Sequence, residues 1–280
     1  MRINYLIPTK NESESITHLI ESIRKVSEDN NYLYDIFLVD DSDDDTIEKA
    51  TKLNAHIIRG LGQGLGASML KGFGSCLKIP ADFILTLDSD GQVDVSEIPI
   101  FVNTALEQKA DVVISSRFLR PDLIKYRYPF INLIGNRVLV LILRLATGFS
   151  FTDSHGGLRL MRPETLRNLS LIGKHTYVQE TLIHFVRSGY QIIELPSQWL
   201  PREHSDSRVI ASIPKYIRRT LPGLLYLMHF HYLLYSITIL SLIFNISSLY
   251  LAGLLTVIAT FIHNKRNQAI SIDSFETDLK

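Results

Sequence analysis

Phe83-Ile84-Leu85-Thr86-Leu87-Asp88-Ser89-Asp90-Gly91-Gln92 decides how this chain reads. The first five residues form a short apolar run of strand length, and the run stops on two carboxylates set two positions apart in a turn that contains glycine. In an α/β sheet the carboxyl ends of the strands open onto the ligand crevice. Hard oxygen ligands placed there suit Mg²⁺ or Mn²⁺, which in turn grips substrate phosphates. Asp-x-Asp by itself fits a solvated turn equally well, so its meaning rests on its surroundings.

Working outward, strand-like and helix-like segments alternate, as expected for an α/β domain with a largely parallel sheet. Strands are expected at 3–7, 36–39, 56–59, 83–87 and 112–115, with helices over 14–28, 46–53, 66–77 and 96–108. Asp82 and Asp94 read as boundary or capping residues. Three strand ends carry polar groups on what should be one edge of the sheet: Pro8-Thr9-Lys10-Asn11-Glu12, Asp40-Asp41-Ser42 and Asp88-Ser89-Asp90. That layout suits a nucleotide site, although Asp, Ser and Thr are also favoured as helix N-caps.

Composition narrows the options. Lys plus Arg and Asp plus Glu are balanced at 29 each, so no global field favours nucleic acid, and none is expected as a partner. The single Cys76 rules out an intrachain disulfide and a cysteine zinc cluster. The N-terminus has too short an apolar core for a signal peptide and reads as a first strand, which places the start of the catalytic part in the cytosol.

Near the other end, residues 224–262 are almost all apolar or small. A bilayer core needs about 20 helical residues, so this stretch suits two spans, with one tilted span or a buried helix pair as alternatives. Lys215, Arg218 and Arg219 precede it and Lys265 and Arg266 follow it, the pattern of a hairpin with both ends in the cytoplasm. Pro214 and Pro222 bracket a basic amphipathic stretch suited to a membrane surface. The expected organisation is therefore a catalytic domain over 1–210, a membrane-surface linker over 211–223, two transmembrane helices over 224–263 and a polar cytoplasmic tail over 264–280.

The motifs in sequence order, Ile7-Pro8-Thr9-Lys10-Asn11-Glu12, Val39-Asp40-Asp41-Ser42, Gly62 with the residues up to Ala67, and Asp88-Ser89-Asp90-Gly91-Gln92, resemble those of family 2 glycosyltransferases with the GT-A fold. Within that family the chain is similar to polyprenyl-phosphate sugar transferases of the dolichol-phosphate mannose synthase type. The resemblance covers residues 1 to about 210. It implies a Rossmann-like nucleotide-sugar-binding domain in which Pro8, Glu12 and Asp40 contact the nucleoside, while Asp88, Asp90 and Gln92 hold the metal and the sugar diphosphate. Lys10 stands where an aromatic is common, and the turn from Asp40 to Thr46 is one residue short of the usual form, which leaves the base open. The glycines from Gly60 to Gly66 follow the third strand rather than the first, so they read as a tight turn opening a helix and not as a dinucleotide fingerprint.

Downstream, Ser116-Arg117, Arg127 and Gly135-Asn136-Arg137 resemble family segments that place arginines near phosphates, for which the planar guanidinium fork is suited. Asp153-Ser154-His155-Gly156-Gly157-Leu158-Arg159 and the Arg202 to Arg208 loop, with Ser207, resemble two further family segments. Asp90, Arg117 and Arg202 are the expected catalytic residues, with Arg202 on the acceptor phosphate; Arg127 and Ser207 join the substrate contacts. The implied reaction moves a hexose from GDP-mannose or UDP-glucose to a polyprenyl or dolichyl phosphate with inversion, on a membrane-bound enzyme whose catalytic domain faces the cytoplasm. Residues 129–147 can dip into the membrane beside the site or be buried in the core. Glu180 and His155 are alternative acid or base groups.

The alternatives are transfer to another membrane-associated glycan or lipid, and a sugar nucleotidyltransferase, which has no need of a membrane hairpin. A processive polysaccharide synthase should carry Gln-x-x-Arg-Trp, and Gln198-Trp199 is too compressed to supply it.

Overall fold

Strand β1 (Arg2–Thr9) alternates its side chains between two cores: Ile3, Tyr5 and Ile7 enter one, Leu6 the other. β2 (Leu33–Asp40) does the same with Ile36 and Leu38 against Phe37 and Val39. Strands buried on both faces read as unbroken apolar runs, the mark of a sheet covered by helices on each side. The computed structural model describes residues 1–175, 177–202, 213–243 and 249–274. Its main sheet also contains β3 (His56–Arg59), β4 (Phe83–Thr86), β5 (Val112–Ser116), β6 (Arg159–Met161) and, after the two-residue β7 (Ser170–Leu171), β8 (Ile192–Pro196). The order is β3-β2-β1-β4-β6-β5-β8. All neighbours are parallel except β6, which runs antiparallel to both β4 and β5. The fold is the expected mixed α/β arrangement.

Helices α1 (Ile16–Asp29) and α4 (Ile98–Glu107) cover one face; α3 (Leu65–Cys76) and α6 (Val178–Arg187) cover the other. The short α2 (Thr46–Lys52) follows the β2 turn. Asp94 caps the turn before α4 by accepting from the Ser96 backbone N–H at 2.9 Å, and Asp82 accepts from the Arg2 N–H at 2.7 Å. The strand order reverses between β1 and β4, and there the chain turns leave a crevice beyond the strand ends.

Helix α5 (Phe130–Thr147) is stabilised at its end by Gly148 in the left-handed region. Phe130, Ile131, Ile134, Val138, Leu141 and Leu145 form an exposed stripe along it, with Phe130 74% and Leu145 69% exposed. At 18 residues and a mean hydropathy of 1.6, it is the one unbroken helix among the described residues long and apolar enough to cross a membrane.

The start of the C-terminal region packs on the catalytic domain. Helix α7 (Ile213–Leu227) carries Pro222 inside it and packs on the domain: Leu224 is buried in the α3/α6 core, and Gly223 lies against Ile172 and Glu180. Residues expected as linker and first span therefore join the catalytic domain's core. The chain bends by 74° at His229, which takes φ +57°, into α8 (Phe230–Ile243). α8 packs on α9 (Leu249–His263), where the Tyr235 and Thr260 hydroxyls lie 3.1 Å apart. At 14 and 15 residues, about 21 to 23 Å at 1.5 Å per residue, neither described helix reaches the ~30 Å of a bilayer core alone. The expected transmembrane region is thus helical in its described residues, and α7 with α8 together have the length and composition of one span broken by the 74° bend. Beyond α9, β9 (Ile270–Ser271) pairs antiparallel with β7, and Ile272 is buried against Gly74 of α3.

Candidate active site

A cleft of about 600 Å³ opens at the reversal point. Pro8, Glu12, Asp88, Asp90 and Arg202 line it together, as do Lys10, Asp41, His175, Arg219 and Thr220. The turns that build it are tied to one another. Ser89 Oγ donates to the Pro8 carbonyl and Ser15 Oγ to the Ser89 carbonyl, each at 2.9 Å. Asn11, held at φ +53°, donates its N–H to Ser42 Oγ at 2.7 Å, and Glu12 N–H reaches Thr46 Oγ1 at 3.0 Å.

Asp40 does not line the cleft. It is buried, its Oδ2 accepting from Thr9 Oγ1 at 2.5 Å and Ser42 Oγ at 2.7 Å, while Oδ1 accepts from Ser42 N–H at 2.8 Å. Its role visible here is to hold the first two turns in register. The cleft carboxylate at this corner is Asp41, whose oxygens accept from Gly62 N–H and Ser68 Oγ, both at 2.9 Å. Strand parity carried that signal: Val39 and Asp41 point the same way, and both line the cleft. The glycine turn needs its glycines, since Gly64 has φ +124° and a Cβ there would lie 2.6 Å from His175 Nδ1 and the Lys174 carbonyl.

Asp88 sits at the floor. Its carboxyl is half-buried, and burial together with the neighbouring Asp90 pushes its pKa up, opposed by the charges of Arg159, Arg117 and Arg202. Arg159 on β6 is itself fully buried, with Nη1 donating to Thr181 Oγ1 at 2.9 Å and Nε to the Gly156 carbonyl at 3.1 Å. A Cβ on Gly157 would come within 2.8 Å of Asp88 Oδ2 and 2.5 Å of the Trp199 ring, so only glycine leaves Asp88 its place. Gln92 is buried, donating Nε2 to the Leu200 carbonyl at 3.0 Å and turning Oε1 to Arg202 Nε at 3.0 Å. Arg202 Nη2 lies 2.6 Å from Asp90 Oδ2.

Two carboxylates and an amide oxygen are the hard donors a Mg²⁺ or Mn²⁺ ion takes when substrate phosphates and water complete its shell. Burial and then the neighbouring Asp90 raise the Asp88 carboxyl, an environment that such a cation relieves. Two carboxylates and one amide oxygen leave part of an octahedral shell to other oxygens, so the donor set fits an ion shared with a diphosphate.

A second cavity of about 530 Å³ is lined by Arg117, Phe118, Arg120, Ile124, Tyr126, Tyr128 and Leu133. Arg117 is buried and committed to Asp153: Nε to Oδ2 is 2.7 Å, Nη2 to Oδ1 2.8 Å, and its guanidinium lies 4.6 Å from the Trp199 ring centre. Glu194 holds the preceding loop by accepting from the Thr152 N–H at 3.0 Å. Arg127 and Arg137 are exposed, and neither lines a cavity described above. Ser207 lies outside the described residues.

Glu180 and His155 do not reach the cleft. Glu180 accepts from the Ile172 and Gly173 N–H groups, and burial lifts its pKa to about 7. His155 is half-buried between Ser154 and Gln179, and desolvation with the Arg117 charge lowers its pKa to about 4. His175, Arg219 and Thr220 reach the cleft from loops and helices far away in sequence and carried no local motif.

Residues 5–170 match the family model described as glycosyl transferase family 2. Among curated proteins, the chain is 27% identical over 203 residues to the low-salt glycan biosynthesis hexosyltransferase of Haloferax volcanii, covering 72% of this chain and 48% of that protein. It spans about half the length of that relative. It is 27% identical over 224 residues to the undecaprenyl-phosphate mannosyltransferase of Micrococcus luteus, covering 76% of this chain and 89% of that one. To the UDP-N-acetylglucosamine–dolichyl-phosphate N-acetylglucosaminyltransferase of Methanococcus voltae it is 25% identical, covering 74% and 88%. Among solved structures, glucosyl-3-phosphoglycerate synthase from Mycobacterium tuberculosis, in complex with Mn²⁺, uridine diphosphate and phosphoglyceric acid, superposes with a TM-score of 0.62 at 17% identity, covering 81% of this chain and 78% of that one. At that identity the likeness is one of fold.

Proposed function

Because the chain belongs to glycosyl transferase family 2, we propose that it transfers a hexose from a nucleoside-diphosphate sugar to a polyprenyl phosphate at a membrane surface, using Mg²⁺ or Mn²⁺. The observation that carries this reading is the pairing of a carboxylate-floored cleft with an outward-facing apolar helix. The cleft sets Asp88 and Asp90 beside Arg202 and Arg219, and the exposed stripe of α5 begins just beyond Tyr126 and Tyr128 of the second cavity. Relatives named for undecaprenyl and dolichyl phosphates support the acceptor class. The Mn²⁺ and uridine diphosphate bound by a protein of the same fold support the metal and the diphosphate.

In this reading Asp88, Asp90 and Gln92 would hold the metal through their oxygens, and the metal would supply positive charge opposite the departing diphosphate. Pro8, Glu12 and Asp41 line the end of the cleft where the nucleoside lies. A phosphate monoester, with a second pKa of about 6, is mostly doubly ionised near neutral pH and attacks the anomeric carbon without a strong base. That fits a site whose Glu180 and His155 are turned inward to bind backbone and neighbouring side chains. The protein's task is then to align acceptor and donor and to place positive charge where negative charge develops.

The α5 stripe supports membrane attachment by lying in the interface, since an apolar face flanked by the exposed Arg137 is the composition such helices use. The helix pair α8 and α9 adds a second anchor. α7 before it and β9 after it both pack on the catalytic domain, so a pair entering the bilayer returns to the same side. We place that side in the cytoplasm, where basic flanks such as Arg218, Arg219, Lys265 and Arg266 belong.

The test is transfer by the purified full chain from a panel of UDP and GDP hexoses to a short polyprenyl phosphate and to phosphoglyceric acid, with and without EDTA. The expected result is transfer to the lipid phosphate, abolished by EDTA. Transfer only to the soluble acid would overturn the acceptor, and full turnover in EDTA would overturn the metal site.

A further inference from the structure

Arg202 occupies the place a metal would need. Its Nη2 and Nε form a fork on Asp90 Oδ2 at 2.6 Å and Gln92 Oε1 at 3.0 Å, two of the three oxygens assigned above to the cation. Neither partner is free to turn away. Gln92 Nε2 donates to the Leu200 carbonyl at 3.0 Å, and Leu200 N–H donates back to the Gln92 carbonyl at 2.9 Å, so the amide oxygen faces Arg202. Asp90 Oδ1 accepts from Gln92 N–H at 3.1 Å, which leaves Oδ2 pointing into the cleft. Arg202 itself is a quarter exposed, with a side-chain accessibility of 24%, and lines the same cleft.

We propose that Arg202 is the resident counter-ion of the Asp90–Gln92 pair and is displaced from it by the metal, moving its guanidinium onto the donor diphosphate. This rests on the donor reading of the cleft. A divalent ion on Asp90 Oδ2 and Gln92 Oε1 would stand within a few ångströms of the guanidinium, and like charges at that range repel strongly at a partly buried site. The diphosphate that arrives with the metal offers the displaced fork a new pair of oxygens in the geometry arginine prefers. Bare metal has to break the Arg202 contacts without that compensation. Arg202 therefore makes metal and nucleotide bind together rather than separately, and it acts on the donor rather than on the acceptor phosphate.

The experiment measures Mn²⁺ binding to the purified full chain by the electron paramagnetic resonance signal of free Mn²⁺, alone and with UDP or GDP. In the native protein Mn²⁺ alone should bind weakly, and the better diphosphate should tighten it strongly. Arg202→Met should bind Mn²⁺ alone about tenfold or more tightly, the factor expected for removing one charge-assisted contact, and should lose most of the tightening by nucleotide. Arg202→Lys should fall between, and thermal melts confirm that both variants are folded. Equal affinities of the native chain and Arg202→Met for Mn²⁺ alone would overturn this role while leaving the donor site standing. Failure of either diphosphate to recruit Mn²⁺ to the native chain would overturn the donor site and this role with it.

Discussion

Replacing Asp153 with asparagine should destabilise the protein more than any surface change, because it strands a buried cation. Asp153 accepts from Arg117 Nε at 2.7 Å and Nη2 at 2.8 Å, and its oxygens also take the Arg117 N–H at 3.2 Å and the His155 N–H at 2.9 Å. Asparagine keeps one acceptor oxygen but turns an amide N–H₂ toward a guanidinium that only donates. Removing one partner of a buried ion pair costs about 3 to 5 kcal/mol. At roughly 2 to 4 °C per kcal/mol for a domain of this size, the melting temperature should drop by about 6 to 20 °C. The pH dependence gives a second, independent readout. Burial works to raise the Asp153 carboxyl, but the Arg117 charge and the hydrogen bonds hold it below the usual carboxylate range. A depressed pKa contributes stability above the unfolded value of about 3.9, and that contribution disappears as pH falls through the folded value. The gap between native and variant melting temperatures, measured by scanning fluorimetry, should thus be widest at neutral pH and narrow below about pH 4. A gap under about 2 °C at pH 7, where about 6 °C is the least the ion pair predicts, or a gap that ignores pH would mean that Arg117 is effectively solvated.

Glu180→Gln tests the opposite sign. Its carboxyl is raised from 4.5 to about 7 by burial, so the native protein holds that stability below pH 4.5 and loses it as pH rises through about 7; the variant should show a flatter profile between those limits, and an unchanged profile would count against the buried carboxyl. For the membrane face, Leu141→Asp with Leu145→Asp should reduce co-flotation with anionic liposomes severalfold while shifting the melting temperature little, because both side chains are exposed. Native-like flotation by that double variant would remove α5 from the membrane surface.

The first five strands and the first four helices were legible because each is a run whose periodicity announces it, and their observed limits differ from the expected ones by at most three residues, with β3 matching at both ends. β6 was not, since it is three residues long and one of them is the buried Arg159, which breaks any apolar pattern. β7 and β9, at two residues each, exist only through pairing between distant segments. The α7 reading shows a different limit: Lys215, Arg218 and Arg219 on one side and apolar residues on the other define an amphipathic helix, but periodicity gives a face and not what covers it. Here Leu224 is covered by the domain's own core. Within the site, Asp88, Asp90 and Gln92 were readable from one motif, whereas the Asp153 partner of Arg117 and the ring of Trp199 behind Gly157 depend on tertiary contact alone.

The burial of Ile272 beside Gly74 has a consequence for how the molecule is made. Gly74 emerges from the ribosome early and Ile272 late, and at about 5 to 20 residues per second the interval is roughly 10 to 40 s. Throughout it, one patch on α3 stays uncovered and β7 lacks its partner strand. α8 and α9 are synthesised inside that interval, so both precede in the chain the residues that close this patch. The last piece of the catalytic domain's packing is thereby left to residues beyond α9.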